Sequence, residues 1–208
     1  MIQGLYAITP SGLEENDLLT KTEGLLKEGI KLIQYRDKIL DKKTLQEKAH
    51  ALLKLTKKYG AKLVINDHVE ICLEISADGF HLGLEDYSSE GNVDLLKKNK
   101  EFISKNLICG LSCKWNKELV VNPPENEIKW TYLAVGSFYP SNTKSTIPET
   151  NESVKRKFLS YTDKPLVAIG GINKKNIGEV RSLGYSCFAL SEALFENPQN
   201  VLNEYKRL

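Results

Sequence analysis

The sequence predicts an α/β protein in which eight parallel strands close into a (β/α)8 barrel, or TIM barrel. Short apolar runs alternate with longer amphipathic segments throughout the 208-residue chain, and these runs number eight. The G-x-G-x-x-G motif that marks many open dinucleotide-binding sheets does not follow the first run. An open, doubly wound sheet is the alternative architecture.

Each strand is predicted where apolar, aromatic and β-branched residues run together with few charges. The run 130–135, for example, reads Trp-Thr-Tyr-Leu-Ala-Val. The predicted strands are 2–8, 31–35, 62–65, 78–82, 107–111, 130–135, 165–169 and 186–190. The segments between them are long enough to hold the crossover helices that parallel strands require.

Helices are predicted between the strands, where apolar residues recur at helical spacing. In 42–58, for example, Leu45, Ala49, Leu52 and Leu53 fall on one face. The predicted helices are 17–28, 42–58, 67–76, 90–99, 115–121, 150–160, 173–182 and 192–207. The polar stretch 137–152 is predicted to be a long loop, and a loop of that length in a compact domain is usually functional or mobile.

Composition and charge exclude several classes of protein. Hydrophobic residues make up 41% of the chain and charged residues 27%, which is typical of a globular protein, so residues 1–208 are expected to form one domain. The net charge of +2 gives no basis for nucleic-acid binding. No apolar run approaches the roughly 20 residues that span a bilayer. The first residues lack a secretion signal, so the cytoplasm is expected, and an oligomer is compatible with the sequence.

The four cysteines do not form a recognisable site. Cys72, Cys109, Cys113 and Cys187 have neither C-x-x-C spacing nor a neighbouring histidine in a zinc-type arrangement. Three of them lie inside apolar runs and are expected to be small buried hydrophobes in a reducing compartment. Cys113 follows a strand end, a position that allows exposure.

Polar side chains follow the second predicted strand, at the end where barrel enzymes place their chemistry. Gln34, Arg36 and Lys38 alternate, so on a continuing strand they would share one face. Two cations and an amide directed at the barrel mouth would be costly unless an anion met them. The alternative is an exposed strand end with a chance alternation.

A pair of carboxylates follows the third and fourth strands. Asp67 comes directly after the third strand, and Asp86 lies shortly after the fourth. Mg²⁺ commonly takes one or two protein carboxylates together with substrate phosphates and waters, so this pair predicts a magnesium site. Asp67 could instead cap the following helix, and Glu85 could replace Asp86 as the ligand.

Hydroxyl groups, glycines and a lysine follow the remaining strands. Ser112 ends the fifth strand, and the loop after the sixth strand carries Ser141, Thr143 and Lys144. Hydroxyls, free backbone N–H groups and a lysine suit a phosphate or diphosphate, although such clusters also occur in ordinary surface loops.

The last two strand ends predict a phosphate site of the kind that this fold often builds there. Gly170 and Gly171 follow the seventh strand, and Ser191 follows the eighth. The alternative is that the glycines form only a tight turn and the serine only a helix cap. With all strand ends considered together, the residues predict a barrel enzyme that acts on phosphorylated substrates with Mg²⁺.

These residues resemble the thiamine-phosphate synthase family over nearly the whole chain. The matching segments are Leu5-Tyr-Ala-Ile-Thr9, Gln34-x-Arg36-x-Lys38, Ile65-Asn-Asp67, Gly79-Phe-His-Leu-Gly83 with Glu85-Asp86, Gly110-Leu-Ser112, Phe138-Tyr-Pro-Ser-Asn-Thr-Lys144, Ala168-Ile-Gly-Gly-Ile172 and Leu190-Ser191. Each segment is weak evidence by itself, whereas their number, order and placement at strand ends make the set specific.

The resemblance implies a (β/α)8 barrel that joins 4-amino-5-hydroxymethyl-2-methylpyrimidine diphosphate to 4-methyl-5-(2-hydroxyethyl)thiazole phosphate, giving thiamine phosphate and diphosphate. It implies that Asp67 and Asp86 ligate Mg²⁺. By the same resemblance, residues of two groups bind the substrates. The diphosphate and pyrimidine would be held by Gln34, Arg36, Lys38, Asn66, Ser112 and Lys144, and the thiazole phosphate by Ser141, Thr143, Gly171, Leu190 and Ser191. Arg36, Lys38, Ser112 and Lys144 are the implied catalytic residues.

The chain departs from the family at three positions that concern fine contacts. Ser141 stands where many members have threonine, Leu84 where many have glutamine, and His68 where arginine is common. Two alternatives share the barrel: a thiazole tautomerase, and a non-catalytic protein that binds thiazole phosphate. The diphosphate and metal set in this chain favours the synthase, whose reaction requires positioning and charge stabilisation but no protein nucleophile.

Overall fold

The computed structural model describes residues 2–124, 128–141 and 147–208 and contains a closed barrel of eight parallel strands. The strands are β1 Gly4–Ile8, β2 Leu32–Tyr35, β3 Lys62–Asn66, β4 Gly79–Leu82, β5 Ile108–Ser112, β6 Tyr132–Val135, β7 Leu166–Ile169 and β8 Cys187–Leu190. Each predicted strand is confirmed to within two residues at either end.

Pairing of the first and last strands closes the sheet. Tyr6 of β1 lies opposite Leu32 of β2 on one side and opposite Ala189 of β8 on the other. An open sheet would leave β1 or β8 with one unpaired edge, so the alternative architecture is wrong. Closure also brings all eight strand ends to one rim, where the polar residues of the sequence collect.

The helices surround the barrel. Their bounds are α1 Glu15–Lys27, α2 Lys42–Lys58, α3 Val69–Glu74, α4 Leu84–Tyr87, α5 Glu90–Lys98, α6 Lys100–Asn106, α7 Lys117–Val121, α8 Glu152–Phe158, α9 Ile177–Ser182, α10 Glu192–Glu196 and α11 Pro198–Arg207. Within the described residues, no helix has the length and apolar character needed to cross a membrane.

Several helical features differ from the prediction, including the helix predicted to start at residue 173, which begins at Ile177. The short helices α4 and α6 were not predicted, because α4 has only four residues and α6 has only two apolar residues, Phe102 and Ile103, so neither shows a helical period. The predicted helix 192–207 is two helices, separated at Asn197, whose φ and ψ of −136° and 63° are not helical. Pro198 explains the break, since proline disfavours a helical conformation in the residue before it and itself starts a helix well.

The core has an outer and an inner part. The outer part packs the helices against the barrel, for example Leu25, Leu52 and Ile33, all at most 1% exposed. The inner part fills the barrel with Val64, Val167 and the phenol rings of Tyr6 and Tyr132, among others. Large side chains therefore fill the barrel interior below the rim.

All four cysteines are buried and free. The three that were expected to be buried are confirmed, whereas the exposure considered for Cys113 is wrong. Its backbone N–H donates to the carbonyl of Ala134, which draws the residue under the end of β6. Burial raises the pKa of its thiol to about 12, so a reactive thiolate is not formed there near neutral pH.

Candidate active site

A cavity of about 380 Å³ opens at the carboxyl ends of the strands. The residues that line it come from most of the strand ends. Those that the sequence had singled out are Gln34, Arg36, Asn66, Ser112, Ser141, Gly171, Leu190 and Ser191. Closure of the barrel thus joins most of the predicted substrate residues into one polar cavity. Thr143 and Lys144 lie outside the described residues.

The segment that follows β2 is held by the loop after β1. The hydroxyl of Ser11 accepts a hydrogen bond from Nη1 of Arg36 at 3.3 Å and another from the backbone N–H of Lys38 at 3.2 Å. The buried carboxylate of Asp37 accepts from the N–H groups of Gly12 and Ile39 at 2.9 and 3.0 Å. These bonds fix the backbone that carries both cations.

Arg36 retains unused donor capacity at the cavity. Its Nε is buried and has no hydrogen-bond partner within the described part of the chain. A buried guanidinium nitrogen without a partner is costly, and an anion in the cavity would satisfy it. The observation agrees with an anion site that Arg36 shares with its neighbours.

Lys38, Asp67 and Asp86 form a charged cluster outside the cavity lining. Strand β2 ends at Tyr35, so the expected alternation does not continue to Lys38. Instead the Lys38 side chain is exposed and its ammonium group pairs with the carboxylate of Asp67. The idea that Asp67 caps α3 is wrong, because His68 occupies the N-cap position and Asp67 has a φ of 65°.

The two carboxylates of this cluster interact with each other. Burial raises the pKa of Asp86, and the negative charge of Asp67 raises it further. The side chain of Asn92 donates to the backbone carbonyls of both residues, at 3.3 Å to Asp67 and 2.7 Å to Asp86, which ties the two segments together. Two adjacent carboxylates with only one lysine are a donor set that a divalent cation would stabilise.

A chain of hydrogen bonds crosses the barrel interior below the cavity. Nε2 of Gln34 donates to the hydroxyl of Tyr6 at 2.9 Å, and the hydroxyls of Tyr6 and Tyr132 are 2.9 Å apart. Tyr132 in turn lies 3.0 Å from Nδ1 of His81, with the two rings stacked. Burial raises the pKa of both tyrosines, so they remain neutral phenols. These hydrogen bonds fix the orientation of Gln34 and His81, which line the cavity.

The opposite side of the cavity is built from backbone and a serine hydroxyl. Gly170 and Gly171 have φ values of 100° and 65°, in the left-handed region that suits glycine. The carbonyl of Gly171 accepts from Nδ2 of Asn173 and of Asn176 at 3.1 and 3.0 Å. Because N–H and C=O point in opposite directions in a trans peptide, the following N–H, that of Ile172, is directed away from both asparagines.

Ser191 is the strongest indication of a ligand on this side. It stands at the N-cap position of α10 but makes no capping hydrogen bond through its side chain. Its Oγ is buried and has no partner among the residues that the structure describes. A buried hydroxyl in the wall of a polar cavity is suited to donate a hydrogen bond to a bound anion.

Comparisons with known proteins agree on one family. A family model described as thiamine monophosphate synthase matches residues 5–194. The chain is 36% identical over 195 residues to the thiamine-phosphate synthase of Nitrosospira multiformis, a match that covers 93% of this chain and 79% of that protein. It is 31% identical over 208 residues to the thiamine-phosphate synthase of Methanobrevibacter smithii, covering 97% and 95% of the two chains.

The chain belongs to the thiamine monophosphate synthase family. A solved structure titled as the thiamine phosphate pyrophosphorylase from Pyrococcus furiosus agrees, with a TM-score of 0.78 and 29% identity over 99% of this chain and 94% of that one. The function is therefore thiamine phosphate synthesis, and the enzyme is a transferase. The resemblance inferred from the sequence is confirmed.

Several cavity residues of this family member were not predicted from the sequence. Lys114, Ser137, His81 and Asn173 all line the cavity. The sequence carried a signal for Ser137, which lies in the polar segment after β6, and for His81, which lies in one of the segments that resemble the family. It carried none for Lys114, because the direction of a side chain in a tight turn depends on the backbone conformation there.

Proposed function

We propose that the enzyme joins 4-amino-5-hydroxymethyl-2-methylpyrimidine diphosphate to 4-methyl-5-(2-hydroxyethyl)thiazole phosphate, releasing diphosphate, with Mg²⁺ at Asp67 and Asp86. The observation that carries this proposal is that two separate sets of groups suited to bind anions lie at one barrel mouth. Cationic groups follow β2, whereas glycines and the hydroxyl of Ser191, which has no partner among the described residues, follow β7 and β8. Two phosphorylated substrates need two such regions.

The first region suits the diphosphate. Arg36 presents an Nε that has no partner in the part of the chain that the structure describes, and Lys38 presents an ammonium group. Asn66 and Ser112 add polar groups to the cavity wall. Lys144 is proposed to join this set. The carboxylates of Asp67 and Asp86 supply the hard oxygen ligands that Mg²⁺ prefers, and when bound the metal neutralises charge on the departing diphosphate.

The second region suits the thiazole phosphate. The hydroxyl of Ser191 would donate a hydrogen bond to the phosphate, and the backbone of Gly171 and Leu190 would approach the phosphate closely. Ser141 lines the same cavity, and Thr143 is proposed to act beside it. An added Cβ at Gly171 would overlap the carbonyl oxygen of Pro140, so any larger residue would displace this part of the cavity wall.

The chemistry requires positioning rather than a protein nucleophile. The C–O bond between the pyrimidine methylene and the diphosphate breaks, and the electron pair leaves with the diphosphate. The electron-rich aminopyrimidine carries the developing positive charge, and the thiazole nitrogen forms the new C–N bond to the methylene carbon. Arg36 and Lys38 would stabilise the leaving group, while the fixed amide of Gln34 would orient the pyrimidine.

Diphosphate release from the purified enzyme tests the proposal. We expect release with Mg²⁺ only when both substrates are present, with thiamine phosphate as the other product. A strong chelator is expected to stop the reaction, and added Mg²⁺ to restore it. The assay contains a reductant, because the four cysteines are free. Free cysteines also suit a reducing compartment, and we propose that the enzyme is cytoplasmic.

Two other outcomes would contradict the proposal. Turnover of the thiazole phosphate alone, unaffected by the chelator, would indicate a thiazole tautomerase. Tight binding of thiazole phosphate without any turnover would indicate a non-catalytic binding protein. Either result would leave the Lys38–Asp67–Asp86 cluster without a function.

Replacement of Ser191 with alanine tests the thiazole phosphate region. We expect Ser191→Ala to raise KM for thiazole phosphate about tenfold, because a hydrogen bond to a charged group contributes about 1.5–3 kcal/mol. KM for the pyrimidine diphosphate is expected to stay unchanged. Thermal stability should also be retained, since Oγ bonds to no group that the structure describes. The readout is initial rate as a function of each substrate.

Ser182→Ala provides the matched control. This serine is exposed on α9, and its hydroxyl donates only to the carbonyl of Glu179, at 2.7 Å. The control should leave both KM values unchanged. If Ser191→Ala behaves like Ser182→Ala, Ser191 does not contact the thiazole phosphate.

A further inference from the structure

Lys114 is a cation at the cavity that none of the roles above uses. It follows the end of β5 by two residues and lines the cavity together with Ser112 and Ser141. No hydrogen bond, ion pair or aromatic contact involves its ammonium group within the described part of the chain. Many lysines on protein surfaces lack a partner, so the lack of one for the ammonium group of Lys114 among the described residues does not by itself indicate a binding role. A second observation is needed.

The backbone at Lys114 supplies that observation. Its φ is 53°, in the left-handed region that residues with a side chain rarely adopt. Only three non-glycine residues in the described ranges have a positive φ; the other two are Asp67, the proposed metal ligand, and Ser76, which follows α3. Glycine would relieve this strain, so a lysine here costs stability, and residues held in this conformation occur often at functional sites.

The turn that holds Lys114 is anchored on both sides. Cys113 is fully buried and donates its N–H to the carbonyl of Ala134 at 2.8 Å. On the other side, Nε1 of Trp115 donates to the carbonyl of Ser137 at 2.9 Å, and its ring packs on Phe138 with centroids 4.9 Å apart. Lys114 therefore projects from a rigid turn, and its base is fixed at the cavity.

The order of the strands places Lys114 beside the proposed diphosphate region. Strand β5 lies next to β4, which leads to Asp86, and Ser112 on the same strand end is assigned to the diphosphate. Most of the thiazole phosphate region follows β7 and β8, with β6 between those strands and β5, although Ser141 in the loop after β6 also belongs to that region. The diphosphate and the two carboxylates bring several negative charges together, and one of the cations there, Lys38, is already paired with Asp67.

We infer that Lys114 is a further diphosphate-binding residue, which contacts the phosphoryl oxygens of the pyrimidine substrate and of the released diphosphate. The inference rests on the proposed function. It assigns to the β5–α7 turn a cation that joins Arg36 and Lys38 around the leaving group. A charge at that point stabilises the diphosphate more as the C–O bond breaks, so the effect extends to kcat as well as to substrate binding.

Binding of inorganic diphosphate with Mg²⁺, measured by calorimetry, tests this inference without turnover. We expect Lys114→Met to weaken binding about tenfold, the size of one charge-assisted contact. Lys114→Arg should retain most of the affinity. Lys114→Gly should weaken binding as Lys114→Met does but keep or raise the thermal midpoint, because glycine tolerates the left-handed backbone. That combination would separate a role in binding from a role in folding.

Lys117→Met is the matched control. Lys117 lies three residues further along and is also exposed, but its ammonium group lies over the ring of Tyr161, 5.0 Å from the centroid, and it does not line the cavity. The control should bind diphosphate as the wild type does.

In steady-state assays, Lys114→Met should raise KM for the pyrimidine diphosphate and lower kcat, with KM for thiazole phosphate unchanged.

The possible results are distinguishable. If the wild type binds diphosphate and Lys114→Met binds it equally well, the inference fails while the proposed function stands. If Lys114→Met weakens binding of thiazole phosphate alone, the assignment to the diphosphate is overturned. If the wild type neither binds diphosphate with Mg²⁺ nor forms thiamine phosphate, the proposed function fails and this inference fails with it.

Discussion

Asp67→Ala is expected to lower kcat/KM by about a hundredfold or more, because a catalytic metal contributes several kcal/mol and each 1.36 kcal/mol corresponds to a tenfold change in rate. The substitution removes one of the two proposed metal ligands and leaves Lys38 without its carboxylate partner. The concentration of Mg²⁺ that gives half-maximal rate should rise as well. Initial rates across a Mg²⁺ titration, with circular dichroism to verify folding, provide the measurement.

Glu85→Ala is the control for this experiment. Glu85 precedes Asp86 but is exposed, whereas Asp86 is half-buried and interacts with Asp67. We expect Glu85→Ala to keep near-normal turnover and an unchanged Mg²⁺ requirement. Loss of activity in Glu85→Ala with normal activity in Asp86→Ala would identify Glu85 as the ligand. Near-normal turnover of a folded Asp67→Ala would rule out the proposed site.

Gly110→Ala is expected to reduce the free energy of unfolding by about 1–3 kcal/mol, the usual cost of inserting a methyl group into a filled core. An added Cβ would overlap the Tyr132 phenol and lie 2.6 Å from Nδ1 of His81. Neither ring can move freely, because Tyr132 also bonds to Tyr6 and all three side chains are buried in the barrel. Denaturant unfolding measures the effect. Activity should fall too, since the substitution disturbs the hydrogen bonds through Tyr6 and Tyr132 that orient Gln34.

Gly24→Ala is also a replacement of glycine with alanine, but it is expected to raise the free energy of unfolding rather than reduce it. Gly24 lies in α1, and an added Cβ would have no atom of the described structure within 4 Å. Alanine favours a helix over glycine by about 0.5–1 kcal/mol, so this variant should be slightly more stable than the wild type. Equal stability of Gly110→Ala and the wild type would show that the interior at Tyr132 and His81 is not tightly packed.

The architecture could be predicted from local patterns because each strand and most helices have a recognisable apolar pattern within a short segment. The run 130–135, for example, is apolar and β-branched wherever it is placed, and the strand that it predicts is present as β6. The same locality limits the prediction at helix ends. Residues 192–207 keep a helical apolar period, yet the backbone breaks at Asn197, since proline acts through sterics and not through hydrophobicity.

The candidate site was predictable as a set of residues but not as an arrangement. Parallel strands in a closed barrel must bring their carboxyl ends together, so Arg36, Asn66, Ser112 and Ser191 were expected near one another, and all line one cavity. The alternation along β2 suggested that Lys38 would share that cavity. The strand ends at Tyr35, and Lys38 instead contacts Asp67, which is 29 residues away in the chain.

Sequence by itself determined the fold class, the family, and which residue types follow each strand, because hydrophobic period and residue chemistry are properties of short segments. Only the tertiary structure decided which of those groups meet. The Tyr6–Tyr132 hydrogen bond joins residues 126 positions apart, and a left-handed turn places Lys114 at the cavity. The Oγ of Ser191 is buried with no partner within residues 2–124, 128–141 and 147–208. Each depends on barrel closure or backbone conformation, which no local pattern specifies.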